Sequence, residues 1–384
     1  MKKIGILTYI KEYANHGTNM QSYSTLKAIQ KVYPEERVEL INYSGWKPEM
    51  KPYFSDMSIS SLIKDVVRIY KYRKFFKEHL TFSNDKLISS DLSESIDFIK
   101  KQNYDAIYVG SDTLLELKRA NKNELTTYWL DETVNSKKFL IAASSNNAVF
   151  DALTDTQKKQ IQNTIDDFTL LGVRDEPTYR LLSNFIKPGD ERLKLISDPT
   201  FTFDIDYTFV ERYIKSKKLH FHKPVVCLHL IRNTSWAKEL SYLFKKAGYI
   251  IASFRPASYA DIILSDLSAF EQAGIYRYFD LVITHRFHDS IFSIKNLTPV
   301  IFFPEYATDV TLYNESKTLT LFKSFGIETT NYINDKNTIT PKGLFDFHKL
   351  AIESFKNNEQ AIQSVLLENK NKYETFLKAT FQLV

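Results

Sequence analysis

The stretch Asp280-Leu281-Val282-Ile283-Thr284-His285-Arg286-Phe287-His288-Asp289-Ser290-Ile291-Phe292-Ser293 decides how this chain is read. Leu281 to Ile283 is an apolar, strand-like run. It empties directly into a cluster with two His, one Arg and one Asp, and a second apolar segment, Ile291 to Leu297, follows at once. In open α/β sheets, ligands sit just beyond the carboxyl ends of the strands. A His two residues from an Arg at that place pairs an acid/base group with an anion clamp. The alternative is a capped strand-to-helix turn with solvated charges.

The same pattern recurs outward from this stretch. Lys3 to Tyr9, Arg37 to Tyr43, Tyr104 to Gly110, Lys137 to Ala143 and Phe168 to Val173 read as strands. Gly17 to Val32, Leu62 to Leu80, Ser93 to Lys101 and Thr154 to Asp167 read as helices. Such alternation means βαβ units and a mostly parallel sheet. The clearest strands end in polar residues: Ser111-Asp112, Ser144-Ser145-Asn146-Asn147, Arg174-Asp175 and His285-Arg286-Phe287-His288. Parallel strands would gather these groups along one rim. Ordinary loop polarity accounts for the Ser and Asn residues, but less well for two Arg and a His.

A crossing segment, Leu195 to Asp206, and a charged helix, Tyr207 to Leu219, interrupt the series. It restarts with a strand from Pro224 to Ile231. A helix from Ser235 to Ala247, a strand from Tyr249 to Phe254 and a helix from Ala269 to Tyr278 follow. After the quoted stretch come a strand from Val300 to Phe303 and a helix from Leu319 to Phe325. Pro341 to Val384 is helical, and no internal repeat is visible. The expected fold class is α/β, with two Rossmann-like domains facing a cleft, like one large class of glycosyltransferases (the GT-B plan), and a helical C-terminal tail. The expected domains are 1–206, read as the acceptor side, and 207–340, with the tail 341–384 packing back on the first.

Composition narrows the chemistry. Only 10 glycines occur in 384 residues, and neither G-x-G-x-x-G nor G-x-x-x-x-G-K-[ST] is present, so side chains or a helix N-terminus must hold any phosphate. The single cysteine, Cys227, excludes disulfides and Cys-based zinc sites and reads as a core residue. No His/Asp spacing demands a metal. The opening Met1-Lys2-Lys3-Ile4-Gly5-Ile6-Leu7 reads as a core strand, not a signal peptide, and no apolar run reaches 18 residues. A cytoplasmic location is expected. Net charge is a modest +5, which gives no reason to expect nucleic acid. The basic-aromatic segment Arg68 to Lys77 reads as an amphipathic helix with Ile69, Tyr72, Phe75 and Phe76 inward. Its basic face could also meet a membrane surface.

These motifs fall in a recognisable order, and from about Lys3 to Glu328 the chain resembles the polysaccharide pyruvyl transferase family. Ile4-Gly5-Ile6-Leu7-Thr8 with Gly17-Thr18-Asn19-Met20-Gln21-Ser22-Tyr23 is similar to its first strand, loop and helix. Tyr72-Arg73-Lys74-Phe75-Phe76-Lys77 before Phe82-Ser83 resembles its basic-aromatic segment. Gly110-Ser111-Asp112 resembles its G-S-D, Ala142-Ala143-Ser144 its A-A-S, Val173-Arg174-Asp175 its V-R-E/D, and Asp198-Pro199-Thr200 its D-P-T. Arg286-Phe287-His288 with Phe292-Ser293 is similar to its most diagnostic element, [SR]-F-H-G-x-x-F-S. There are departures. Asp289 stands where a small residue is usual, Thr113-Leu114-Leu115 replaces Gln-x-Trp, Asn146-Asn147 replaces Phe-Gly, and Lys317-Thr318 sits where an Arg is common.

The resemblance implies transfer of a pyruvyl group from phosphoenolpyruvate onto two sugar hydroxyls, making a cyclic ketal on a cell-surface polysaccharide or its lipid-linked precursor. It implies no cofactor beyond this donor substrate, and an enzyme that could gather at the inner face of the cell membrane. Arg174 and Arg286 become the candidates for the donor's phosphate and carboxylate. His288 is the candidate acid/base group, and Asp112 could orient or deprotonate a hydroxyl. Phe287, Asn19, His16, Ser144 and Asn146 complete the expected substrate wall. Each has a plainer reading beside it. Arg174 could pair with Asp175 or Glu176 on the surface, Asp112 could cap a helix, and the first loop's His16 and Asn19 could be idle. His285 should point away from His288 if the backbone is extended there. Tyr128 and Trp129 read as core. Two other functions stay open: a nucleotide-sugar glycosyltransferase using Glu305 to bind ribose, and a non-catalytic scaffold in polysaccharide assembly.

Overall fold

In the computed structural model, residues 1–10, 15–45, 59–117, 125–146, 148–230, 234–304, 316–333 and 339–384 are described. Apolar runs of three to seven residues form parallel strands buried on both faces, as such continuous hydrophobic patterns should. In the first half these are β1 (Lys3–Leu7), β2 (Arg37–Leu40), β5 (Ala106–Val109), β6 (Lys137–Ala143), β7 (Leu170–Val173) and β8 (Leu193–Leu195). Among the described residues they form one parallel sheet of order β2-β1-β5-β6-β7-β8. A small parallel pair, β3 (Tyr43–Ser44) with β4 (Leu87–Ile88), lies apart from it.

The second half repeats the scheme with β9 (Val225–His229), β10 (Ile250–Ser253), β11 (Ile262–Ile263), β12 (Leu281–Thr284) and β13 (Val300–Phe302). Their order is β11-β10-β9-β12-β13, again all parallel. Period-2 alternation sorts each strand's side chains to opposite faces. Ile4, Ile6, Tyr108 and Ile141 join Cys227, Val282 and Val300 in one core that runs through both halves, so Cys227 is a core residue. Leu7, Ile107, Val109 and Leu140 pack on the other face of the first sheet, together with Tyr128 and Trp129.

Helices begin where the local chemistry satisfies their free N–H groups. Asn15 caps α1 (His16–Val32), Asp91 caps α3 (Leu92–Lys101), and Thr154 with Gln157 makes a reciprocal capping box at α4 (Asp155–Asp167). Asp175 caps α5 (Glu176–Ser183), whose first turn holds Pro177. This helix, β8 and β11 are absent from the sequence reading. The sequence did carry a signal for α5, because Asp-Glu-Pro is a helix-start pattern. In α2 (Ile59–His79), Tyr72, Phe75 and Phe76 are buried as the periodicity predicts. After α6 (Thr208–Lys217) and α7 (Thr234–Lys246), α8 (Ala269–Ile275) starts with a second capping box, Ser268 with Glu271.

The polar cluster after β12 opens α9 (Phe287–Lys295), with extended Arg286 at its N-cap. Two short helices, α10 (Lys317–Ser324) and α11 (Glu328–Asn331), precede the tail. The tail is two helices that part company. One, α12 (Pro341–Asn357), packs on α7 of the second half. The other, α13 (Glu359–Phe381), lies against α1 of the first, where Tyr108 and Tyr33 meet Thr380 and Phe381. Among the described residues, no helix is long and apolar enough to cross a membrane.

Candidate active site

Strand order alone says where a ligand should sit. In the first sheet, chain order runs one way from β1 to β2 and the other way from β5 to β8. In the second, it runs one way from β9 to β11 and the other from β12 to β13. Each sheet therefore has a switch point, between β1 and β5 and between β9 and β12, and the crevice outside the strands' carboxyl ends opens there. Asp112 and the His285 to His288 cluster follow strands at these points, β5 and β12, while Ser144 and Arg174 follow β6 and β7 further along the same rim.

At the first switch point, Asp112 follows β5 with φ 95°, just after Gly110 with φ 143°. A Cβ on Gly110 would lie 1.8 Å from the carbonyl oxygen of Ile141, so only glycine permits this close crossing. Asp112 caps no helix. Its carboxylate accepts a hydrogen bond from Thr18 Oγ1 at 2.8 Å, in the first turn of α1, and lies 3.7 Å from Arg174 Nη2. Arg174 follows β7 but is not on the surface. Its side chain is buried, and Nη1 donates to Asp198 at 2.8 Å. Asp198 also accepts from Gln21 Nε2 at 2.7 Å and from Thr200. Burial would raise Asp198, but His288 and Arg174 outweigh it and hold the carboxyl well below its usual range. Asp112 is likewise raised by burial but lowered overall by Arg174, His288 and Lys317.

The second sheet delivers His288 onto this cluster. Its Nε2 stands 3.8 Å from Asp198 and makes no hydrogen bond among the described residues. The ring rests on Gly17 in α1, where an added Cβ would come within 2.1 Å of Nδ1. Phe287 spreads beneath two cations, Arg174 at 5.0 Å and Lys317 at 5.6 Å from its ring centre. Burial, with Arg174 next, lowers the Lys317 ammonium, while Asp112, Asp175 and Glu116 pull the other way. Arg286 is half-buried, and its side chain forms no hydrogen bond or ion pair among the described residues. His16, on the first turn of α1, is driven to about 3 by burial and stays neutral, and it senses the charges of Asp289, His288, Arg286 and His229.

The structure thus brings Asp112, Arg174, Phe287 and His288 together, with His16 and Arg286 beside them. The helix expected from Gly17 starts one residue earlier, at His16, and Asn19 lies inside it with no exposed surface and not in a loop wall. Ser144 is also fully buried, and its hydroxyl accepts the backbone N–H of Asn146. Asn146 donates its side-chain amide to Glu116. Asn147 and Glu305 lie outside the described residues. His285 packs beside His229, with ring centres 6.2 Å apart. Sequence reasoning gave no role to Asp198, Gln21, Lys317 or His229. The signal for Asp198 was present in Asp198-Pro199-Thr200, but only the fold reveals what the carboxylate holds.

Two parallel α/β sheets, with arginines and imidazoles beyond the carboxyl ends of their strands, make a fold of the GT-B type. Solved structures of similar fold include the spinosyn forosaminyltransferase, at TM-score 0.56 and 11% identity over 99% of each chain. The UDP-GlcNAc 2-epimerase from Neisseria meningitidis bound to UDP-GlcNAc matches at 0.56 and 9% over 100% of each chain. A glycosyltransferase from Rickettsia africae matches at 0.55 and 10%, over 99% of this chain and 98% of that one. At these identities the likeness concerns the fold alone. No curated protein matches the sequence. The family model for polysaccharide pyruvyl transferase matches residues 15–305, and the chain belongs to that family of enzymes.

The packing of His288 on Gly17 gives a direct expectation. Gly17→Ala must push the imidazole aside, because its Cβ and Cγ, not a flexible tip, stand in the way. Turnover should fall at least tenfold with a smaller loss of melting temperature. Unchanged turnover would mean that the ring position is unimportant.

Proposed function

We propose that this transferase moves the pyruvyl group of phosphoenolpyruvate onto two hydroxyls of a saccharide, closing a cyclic ketal and releasing phosphate. The observation that carries the reading is the gathering of Arg174 and Lys317 over Phe287 next to His288, which rests on the first turn of α1, with the charge of Arg286 felt by His16 in that turn. Phosphoenolpyruvate carries a phosphate and a carboxylate close together, and such a cationic cleft at a helix N-terminus suits it. Arg286 and Arg174 hold these anions from opposite halves, and Phe287 keeps the Arg174 guanidinium flat. Asp198 and Gly17 fix His288, which exchanges the proton. Asp112 orients an acceptor hydroxyl.

Phosphoenolpyruvate should raise the melting temperature, whereas UDP and GDP should not. Stabilisation by a nucleoside diphosphate and not by phosphoenolpyruvate would favour a sugar-nucleotide donor instead.

We propose further that α2 attaches the enzyme to a membrane face, which fits a lipid-linked acceptor. Ile59, Ile63, Val66 and Tyr70 form an exposed apolar stripe one turn apart, leading into exposed Arg73, Lys74 and Lys77. Not every basic residue here is available. Lys71 is tied to Glu271 at 2.7 Å, and Arg68 to Asp65 at 2.8 Å. Replacing Arg73, Lys74 and Lys77 together with Gln should reduce co-sedimentation with phosphatidylglycerol vesicles several-fold. Wild-type sedimentation would refute the attachment.

A further inference from the structure

We propose that His229, held through Nδ1 by Asp289, is a second proton-exchanging residue of this site and works beside His288. The proposal rests on the reading of the cleft as a pyruvyl transfer site. His229 is the last residue of β9, at the switch point of the second sheet, where a ligand is expected. Asp289 is buried on the first turn of α9. Its Oδ1 accepts a hydrogen bond from Tyr276 Oη at 2.8 Å, and its Oδ2 accepts one from Thr284 Oγ1 at 2.9 Å and contacts His229 Nδ1. Two neutral donors thus fix the carboxylate, and the carboxylate fixes the imidazole.

A carboxylate on Nδ1 sets the tautomer with the proton on that nitrogen. It leaves Nε2 as the atom that can exchange a proton. The ring is not sealed away, since His229 keeps 8% of its surface. A buried carboxylate is costly unless it is fully partnered. Asp289 replaces the small residue usual at this point of the motif, and its partners, His229, Tyr276 and Thr284, are all in place. The arrangement is therefore built around His229 and not tolerated as a stray charge.

The chemistry needs two such groups. Each acceptor hydroxyl forms a C–O bond to C2 of the donor and gives up its proton. The C2=C3 double bond takes one proton at C3, which becomes a methyl group. The bond from C2 to the phosphate oxygen breaks, its electron pair leaves with phosphate, and phosphate carries off the second proton. Two protons leave and two are taken up. His288, beside Asp198 and Arg174, serves one exchange, and His229 serves the other.

The test is turnover of the full-length protein with phosphoenolpyruvate and a saccharide acceptor, read as phosphate release across pH. The groups that face the pair are His16, His285, Arg286, Tyr276, Cys227 and Arg255, and they are left intact. His229→Gln should keep phosphoenolpyruvate affinity, lower kcat about a hundredfold and remove one limb of the pH profile. Asp289→Asn should lower kcat at least tenfold and shift that same limb. Imidazole added to His229→Gly should restore part of the turnover, which keeps the proposal open to test if the Asp289 variant folds poorly. Normal kcat and pH profile in His229→Gln, or losses that only track folded protein with no rescue, would overturn it. Wild-type protein that leaves phosphoenolpyruvate intact would overturn the pyruvyl transfer reading as well. An active wild type with a normal His229→Gln would overturn this inference alone.

Discussion

His288→Ala should lose turnover by about a hundred- to ten-thousandfold, the usual contribution of a positioned acid/base group. Its melting temperature and donor affinity should stay close to wild type. The ring sits at the start of α9, with Nε2 3.8 Å from Asp198 and without a hydrogen bond among the described residues. It lies on Gly17 with 14% of its side chain exposed, so truncation should cost less than removal of a fully buried ring. The carboxylate of Asp198 stands between the His288 ring and the Arg174 guanidinium. If activity is unchanged, or if stability collapses enough to account for all lost activity, His288 is a packing residue.

The two arginines should separate binding from stability. Arg286→Ala should weaken phosphoenolpyruvate binding about ten- to a hundredfold, the equivalent of a charge-assisted hydrogen bond worth about 1.5–3 kcal/mol. It should hardly change the melting temperature, because no ion pair among the described residues depends on it. Arg174→Ala should weaken binding similarly and also destabilise the fold by about 3–5 kcal/mol, since it leaves Asp198 buried without its cation. Lys at either position should fall between, having lost the bidentate fork.

Acid stability gives a second readout. Asp112 and Asp198 titrate below their ordinary values in the folded protein. Their contribution is therefore fully present above about pH 4 and is lost as pH falls through the folded values. Arg174→Ala should flatten that acid limb, and Arg286→Ala should not. Normal donor affinity in both Ala variants would remove them from the site.

Most of the longer strands and helices were legible in the sequence, although α5, for all its Asp175 cap, was not. Thr154 with Gln157 marked the start of α4 through side chains adjacent in sequence. Two-residue β11 and three-residue β8 carried too little periodicity to register. For the site, residues that end long strands were visible, as with Arg174 and the Arg286 to His288 cluster. Partners supplied from across the molecule were not. Asp198 meets Gln21 from 177 positions away, and His229 meets Asp289 from 60. Asn19 shows the converse, where a polar residue in a glycine-led loop pattern became the buried inside of a helix. A polar side chain announces a cost of burial, and only the fold says whether water, a ligand or another residue meets it.

The most direct test of pyruvyl transfer is mass spectrometry of a lipid-linked or model saccharide after incubation with the protein and phosphoenolpyruvate. The account predicts a product heavier by one pyruvate less one water, with one phosphate released for each. An acceptor of unchanged mass with phosphoenolpyruvate intact, or one that gains a sugar from a nucleotide donor, would contradict it.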